Sequence, residues 1–475
     1  MKQSFSINLI FLVIINLIIK LSYLFIIEVG VQNSLGPSEY GIFLALFNFS
    51  YLFYFLQDPG IHNYNLTRLS KDRSLIKKDF KQVVVIKAGL GVLFFLVVIV
   101  CGFLMDYSAK MMELLKWISI NHFLASSFMY LRSHHSASGR YFWDSCLSIL
   151  DKSLMILFIG YLLYNKDAAD LSIITFVQAQ MMAFLIAIAV ALISLKSIWS
   201  FPTISRTFVQ AYLKQALPFG LIVFLMAVYS RIDVVMLERM LENGDYQSGI
   251  YAASYRFYEG CNMVAYLYAA LLLPMFASAK IPMVHTLLDT SIRMMIPLLL
   301  GVGIIGIGWG NEIMGIYKVN NPQYAFLLNC HVGAFFCVAI SYIYGTLLTA
   351  KRVLKTLNTI LIAGLVFNVV MNYILIPKYA ASGAAIATLS TQFIVVLCQV
   401  IVVHKKFNRQ IDFNLISRVL LLSTVLSVAA IYLQPRGLNI GIDVIIIGTG
   451  VLVGIFTLGI IRKDMIFALY NKREV

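Results

Sequence analysis

The chain has 475 residues, of which 60% are hydrophobic and only 12% charged, whereas a soluble domain carries about 25% charged residues. So much apolar surface exceeds what a soluble core buries. The composition excludes a soluble enzyme and implies an all-α membrane protein with many spans. The net charge of +15 is no nucleic-acid footprint, because most Lys and Arg lie in short segments between apolar runs, where they set topology and meet lipid headgroups.

In chain order, fourteen apolar runs are expected as transmembrane helices: 7–27, 40–57, 82–105, 114–133, 145–164, 171–195, 216–237, 249–276, 291–310, 325–350, 355–376, 382–403, 415–433 and 441–461. They lack the alternation of barrel strands, so helices are the only choice. The first run follows a single Lys and no small-residue cleavage site comes after it. It therefore reads as a retained span that also targets the chain. With the N-terminus inside, the inner segments hold 23 Lys and Arg and the outer loops 6. Both termini are thus expected in the cytoplasm.

Six cysteines fall inside apolar runs without a CxxC pair, and the seven histidines show no ligand spacing. No disulfide framework, metal site or cofactor is expected. Pro297 should kink span 9, and Asn368 and Asn372 share a face of span 11 as interhelical glue. Lys87, Asp151 and Lys152 lie near the cytoplasmic face and are expected to snorkel. Asp58, Arg68 and Lys71 read as charged surface. The sequence Asn48-Phe49-Ser50 lies within a span, so as a glycosylation signal it has no meaning.

A weak internal repeat is visible. Tyr40-Gly41-Ile42-Phe43 opens span 2 as Ser248-Gly249-Ile250-Tyr251 opens span 8, an offset of 208. Ser138-Gly139-Arg140 after span 4 resembles Ala350-Lys351-Arg352 after span 10, an offset of 212. Matching spans enter from the same side, as in parallel repeats about an axis along the membrane normal. The expected organisation is an N-terminal six-helix lobe over 1–195, a C-terminal six-helix lobe over 216–403 and two appended helices over 415–461. The two lobes are expected to surround a central cavity.

Four charges stand out within the seventh and eighth runs: Arg231 and Asp233, then Arg256 and Glu259. A charge at such depth costs at least about 2.5 kcal/mol, so it usually faces a wet cavity or a partner. Arg stays protonated and cannot escape that cost. Span 7 rises from the cytoplasm and carries Arg231 ~22 Å up, whereas span 8 descends and carries Arg256 ~10 Å down. Lys20 in span 1 lies ~20 Å up. In a hydrocarbon core of ~30 Å the three levels nearly coincide, so a cationic layer fed by both lobes is expected. Glu259 follows Arg256 at i+3 and can pair with it, whereas Asp233 lies on another face from Arg231. Buried ion pairs that only fix helix packing remain the competing reading.

Three stretches together resemble a family. They are Leu35-Gly36-Pro37-Ser38-Glu39-Tyr40-Gly41-Ile42-Phe43; Arg231-Ile232-Asp233 with Gly249-Ile250-Tyr251-Ala252-Ala253-Ser254-Tyr255-Arg256; and Ile376-Pro377-Lys378-Tyr379 with Gly383-Ala384-Ala385-Ile386-Ala387-Thr388. The chain is similar to the Wzx-like, O-antigen flippases of bacterial polysaccharide biosynthesis, within the multidrug/oligosaccharidyl-lipid/polysaccharide exporter superfamily. The resemblance implies alternating access and an undecaprenyl-diphosphate-linked oligosaccharide as substrate. It places the protein in the bacterial inner membrane as a monomer among membrane lipids, with the polysaccharide polymerase machinery as a partner. By the same resemblance the cavity cations Lys20, Arg231 and Arg256 would engage the anionic part of the substrate. A coupling ion, H+ or Na+, would be the only further requirement. Span 2 carries no Arg or Lys, where some members place one.

Two other classes stay open. A cation-coupled multidrug exporter of the same superfamily would use an acid in the cavity, for which Asp233 or Glu259 would serve. A polytopic glycan polymerase or ligase would need a large outer loop. The longest here, about 311–324, holds only Glu312 and Lys318.

Overall fold

A computed structural model of the chain describes residues 14–461 apart from 73, 166–170, 196–204, 319–320, 322, 411 and 435–439. The described residues form helices and no strand. The first is α1 (Ile14–Leu52). Then follow α2 (Tyr54–Gln57), α3 (Ile61–Lys71), α4 (Leu75–Leu104), α5 (Ala109–Ala137), α6 (Tyr141–Tyr164), α7 (Ile173–Ser194) and α8 (Arg206–Met240). The chain continues through α9 (Gly244–Ser278), α10 (Ile281–Gly308), α11 (Gly310–Met314), α12 (Gln323–Ala350), α13 (Leu354–Lys406), α14 (Phe413–Leu433) and α15 (Ile440–Thr457).

Lipid offers the backbone no hydrogen-bond partners, so each spanning segment must satisfy its amides and carbonyls internally. Helix starts are closed by local side chains. Ser108, Ser172, Ser205 and Asp412 accept from the amides of Met111 (3.4 Å), Thr175 (3.1 Å), Phe208 (3.4 Å) and Leu415 (2.9 Å). Large apolar side chains stay exposed along the long helices, such as Phe103, Leu157, Ile193 and Leu420, each at 60% or more. A soluble protein would bury them; a lipid-facing surface keeps them outside.

Nine stretches of the described residues are long and apolar enough to cross a membrane. Two of them, α1 and α13, bend sharply at residues outside the helical region, Gly36 (φ 79°, ψ 167°) and Ala380 (φ 50°, ψ −131°). The expected breaks between spans 1 and 2 and between spans 11 and 12 lie at these bends. Gly36 reaches a left-handed φ without a Cβ penalty, and Pro37 then starts the next helical turn, where a missing amide hydrogen costs nothing. Pro297, expected to kink span 9, lies within the helix α10. α5 and α8 are outside the nine, and Gly441–Thr457 is apolar but shorter. Length and hydropathy therefore do not by themselves establish a count of fourteen.

The chain divides into two compact units, Met1–Gly249 and Ile250–Val475. In the first, α8 packs on α1 and α3 while α5 packs on α3, α4 and α7. Phe80, Phe128, Tyr130 and Ala187 sit in the core there. The division falls at Gly249, and α8 packs on α1. In the second unit α12 packs on α10 and α13, and Phe276, Met295, Phe335 and Leu347 fill the core. The pair α14 and α15 packs on α10 through Leu300, Trp309, Leu422, Leu426, Ile447 and Ile455. Arg293 to Asp412 at 2.6 Å ties this pair down, as does the Trp309 indole donating to Asp443 at 3.1 Å.

Gly41 and Gly249, the two glycines of the internal repeat, serve one contact within the first unit. A β-carbon on Gly41 would collide with the Asp245 carbonyl oxygen, and one on Gly249 with that of Pro37. The Gln32 amide donates to the Gly249 carbonyl at 2.9 Å, deep in the same contact. Small residues of this kind let helix backbones approach closely in a membrane, where dispersion and hydrogen bonding replace the hydrophobic drive.

Candidate substrate site

In the first unit the end of α1 and the start of α2 place Phe47, Tyr51 and Tyr54 at i, i+4 and i+7, on one face. His122 of α5 packs edge-on against all three rings, with centroids at 4.5, 5.5 and 6.4 Å. Ser50, one turn after Phe47, meets His122 Nδ1 at 3.0 Å. Both Ser50 and His122 are buried. Onto this cradle α8 lowers Arg231. Its guanidinium lies 5.2 Å from the Tyr51 ring centroid and 5.9 Å from that of Phe47. Nη1 donates to Asn48 Oδ1 at 3.2 Å. An arginine over ring faces is a cation–π arrangement that strengthens as water is removed. Asp233, on the same helix, is buried at 6% exposure.

Lys20 has other company. It shares its surroundings with Arg132 near the end of α5 and with Asp144, Asp151 and Lys152 in the first half of α6. Its helix packs along α6: Asn16 meets Ser148, and the Lys152 ammonium lies 4.4 Å from the Tyr23 ring centroid. Between Lys20 and the bend at Gly36, α1 widens into a π-helical turn over Tyr23–Glu28, a distortion often found at functional sites. Within the first unit, then, Lys20 and Arg231 are set among different neighbours.

The second unit holds Arg256 and Glu259, joined by an ion pair of 2.6 Å across the i+3 spacing. Arg256 is 8% exposed. The same unit holds a second cradle. Tyr251, Tyr255 and Tyr258 of α9, again at i, i+4 and i+7, surround His331 of α12 with centroids at 4.8, 5.7 and 5.9 Å. Ser254 meets His331 Nδ1 at 2.9 Å. The aromatic positions match the first cradle at an offset of 204 and the histidines at 209. Among the described residues, no cluster of three metal-ligating side chains exists.

The cradles escaped the reading of isolated motifs, although the signal was present. Phe47-x-x-Ser50-Tyr51-x-x-Tyr54 and Tyr251-x-x-Ser254-Tyr255-x-x-Tyr258 have the same spacing. Lys87 also differs from expectation. It does not snorkel but is 4% exposed, bonded to Asp58 at 3.2 Å and to the Ser126 hydroxyl at 2.7 Å. Asp58 is therefore internal and no surface charge. Arg68 pairs with Asp79 at 2.8 Å.

The described residues form a helical membrane protein, and solved exporters of the multidrug/oligosaccharidyl-lipid/polysaccharide superfamily share its fold. The chain is similar over 96% of its length to the whole of the lipid II flippase MurJ in an inward closed conformation, with a TM-score of 0.73 at 15% identity. It is also similar to an inward-facing multidrug resistance MATE family transporter of that superfamily, at TM-score 0.64 and 11% identity, covering 82% of this chain and 94% of that one. A third structure, a transporter of the same superfamily from Pyrococcus furiosus described as having a binding pocket of reverse polarity, matches at TM-score 0.56 and 12% identity, over 83% and 94%. No curated protein matches the chain. Residues 6–280 match the model of the polysaccharide biosynthesis protein family, and the chain belongs to that family.

Proposed function

We propose that the protein flips an undecaprenyl-diphosphate-linked oligosaccharide, an O-antigen or similar repeat unit, from the cytoplasmic to the outer leaflet of the bacterial inner membrane. Alternating access would expose the headgroup first to one side and then to the other, while the polyprenyl tail stays in lipid. Lys20, Arg231 and Arg256 engage the diphosphate, with H+ or Na+ as the coupling ion. Glu259 orients the Arg256 fork, and Asp233 completes the charged set.

The observation that carries this reading is the seat of Arg231. A guanidinium grips phosphate oxygens in bidentate geometry, and here it lies over Tyr51 and beside Asn48 of the long apolar helix α1. Ring faces beside a phosphate-holding fork suit a glycan joined to a diphosphate. A multidrug exporter would draw on Asp233 or Glu259 for cation coupling. The 2.6 Å pairing of Glu259 with Arg256 favours the anionic cargo instead.

Deletion of the gene followed by lipid analysis tests the function. Lipid-linked oligosaccharide should accumulate on the inner leaflet. Normal glycan with altered drug tolerance would establish the exporter instead.

A further inference from the structure

Away from Arg231, the first unit carries a cavity of 290 Å³ where α5 ends, α6 begins and α7 ends, lined by His135, Arg140, Trp143, Val190, Ile193 and Ser194. Local sequence builds it. α5 closes with Gly139 at φ 77°, and the Arg140 amide returns to the His135 carbonyl at 2.9 Å, a Schellman-type turn. That turn fixes Arg140 next to His135 and sends Phe142 and Trp143 outward, at 62% and 48% exposure.

His135 is buried, at 1% exposure. Its Nε2 meets the Ser194 hydroxyl at 2.8 Å. Ser194 gives its one hydrogen to the Ala191 carbonyl at 2.7 Å, so His135 Nε2 is the donor of that pair. His135 Nδ1 is buried with no hydrogen-bond partner among the described residues. No ion-pair partner of the Arg140 guanidinium is found among them either. The nearby carboxylate of Asp144 is taken by Arg132 at 2.9 Å. On the outer side Ile193 is 68% exposed, a side chain that lipid would cover.

We infer that this cavity is a binding site for an anionic phospholipid of the cytoplasmic leaflet. The lipid phosphate sits against Arg140, and an acyl chain runs along Val190 and Ile193 beside Trp143. Three features converge on that chemistry: a fork-shaped cation, an apolar wall with an exposed outer side, and an exposed amphipathic indole of the kind that concentrates at lipid headgroups. A second cavity of similar size, about 300 Å³ between α10, α12 and α14, is lined by Ile304, Phe336, Ser427 and Ile431 with no cation. It offers nothing to a phosphate.

The test is native mass spectrometry of the full chain released from nanodiscs of phosphatidylcholine doped with phosphatidylglycerol. The wild type should retain phosphatidylglycerol in preference to phosphatidylcholine. Arg140→Gln should lower that retention about five- to tenfold, as expected for one lost charge-assisted contact. Arg352→Gln, at the matching turn of the second unit (φ 57°), should leave it unchanged. Equal losses in the two variants would reduce the effect to general surface charge and overturn the site. Retention unaffected by Arg140→Gln would overturn it as well. Displacement of the lipid from the wild type by excess inorganic phosphate would reassign the cavity to a soluble anion.

Discussion

The two histidine cradles are built alike and equipped differently. Each sets three rings at i, i+4 and i+7 around a buried histidine, with a serine one turn along holding Nδ1. In the first unit the opening ring is Phe47, without a hydroxyl, and the guanidinium that lies over it comes from another helix, α8. In the second the matching ring is Tyr251, whose hydroxyl meets Thr388 at 3.3 Å, while Arg256 sits on the same helix as the rings and pairs with Glu259. The offsets, 204 for the rings against 208 for the glycine motifs, put the second cradle one helical turn closer to its glycine. The lesson is that one packing device occurs in both units while the cation beside it is supplied in two different ways.

That comparison breaks most visibly at charge. Arg231→Ala should abolish glycan export with membrane abundance unchanged. Arg231→Lys should restore it only in part, because an ammonium lacks the bidentate fork. Export assays normalised to immunodetected protein measure both.

The glycine contact comes next. Gly41→Ala and Gly249→Ala each push a methyl into a backbone carbonyl, where neither partner can yield as a flexible side chain would. Each should cost about 3 kcal/mol or more, read as loss of folded protein after detergent extraction. Lys87→Met should be comparably damaging, about 3–5 kcal/mol, since it leaves the Asp58 carboxylate buried without its counter-ion. Adding Asp58→Leu should recover much of that loss, a result visible in thermal unfolding of the double variant.

The smallest expected effect separates the two cradles. His122→Ala and His331→Ala each remove a buried side chain and its serine bond, worth about 2–3 kcal/mol in either unit. Both should lower the melting temperature similarly. Export per folded molecule should fall for His122→Ala, which loosens the seat of Arg231, and hold for His331→Ala.

Much of the fold was legible because a bilayer leaves few options. Long apolar runs without alternation had to be helices, and Gly36-Pro37 announced a bend. The second bend, at Ala380, was less plain, since an alanine there gives no sign of a left-handed φ, although Pro377 stands three residues before it. The site was legible only residue by residue. Arg231 and Arg256 were conspicuous as charges in oil, and the Arg256–Glu259 spacing gave their pairing directly. Sequence spacing along one helix says nothing of what lies across from it, so the histidines stayed hidden. For the same reason Lys87 read as a snorkelling surface residue, when its partner Asp58 lies 29 positions away. Asn48 and Ser50 passed as a meaningless glycosylation signal, and both hold groups of the first cradle.

The proposed export depends on Arg231 meeting a phosphorylated headgroup. The most direct measurement is the leaflet distribution of lipid-linked oligosaccharide in cells whose only copy of the protein carries Arg231→Ala. Accumulation on the cytoplasmic leaflet, with the variant present at wild-type abundance, is the predicted result. A wild-type distribution between the leaflets would contradict it.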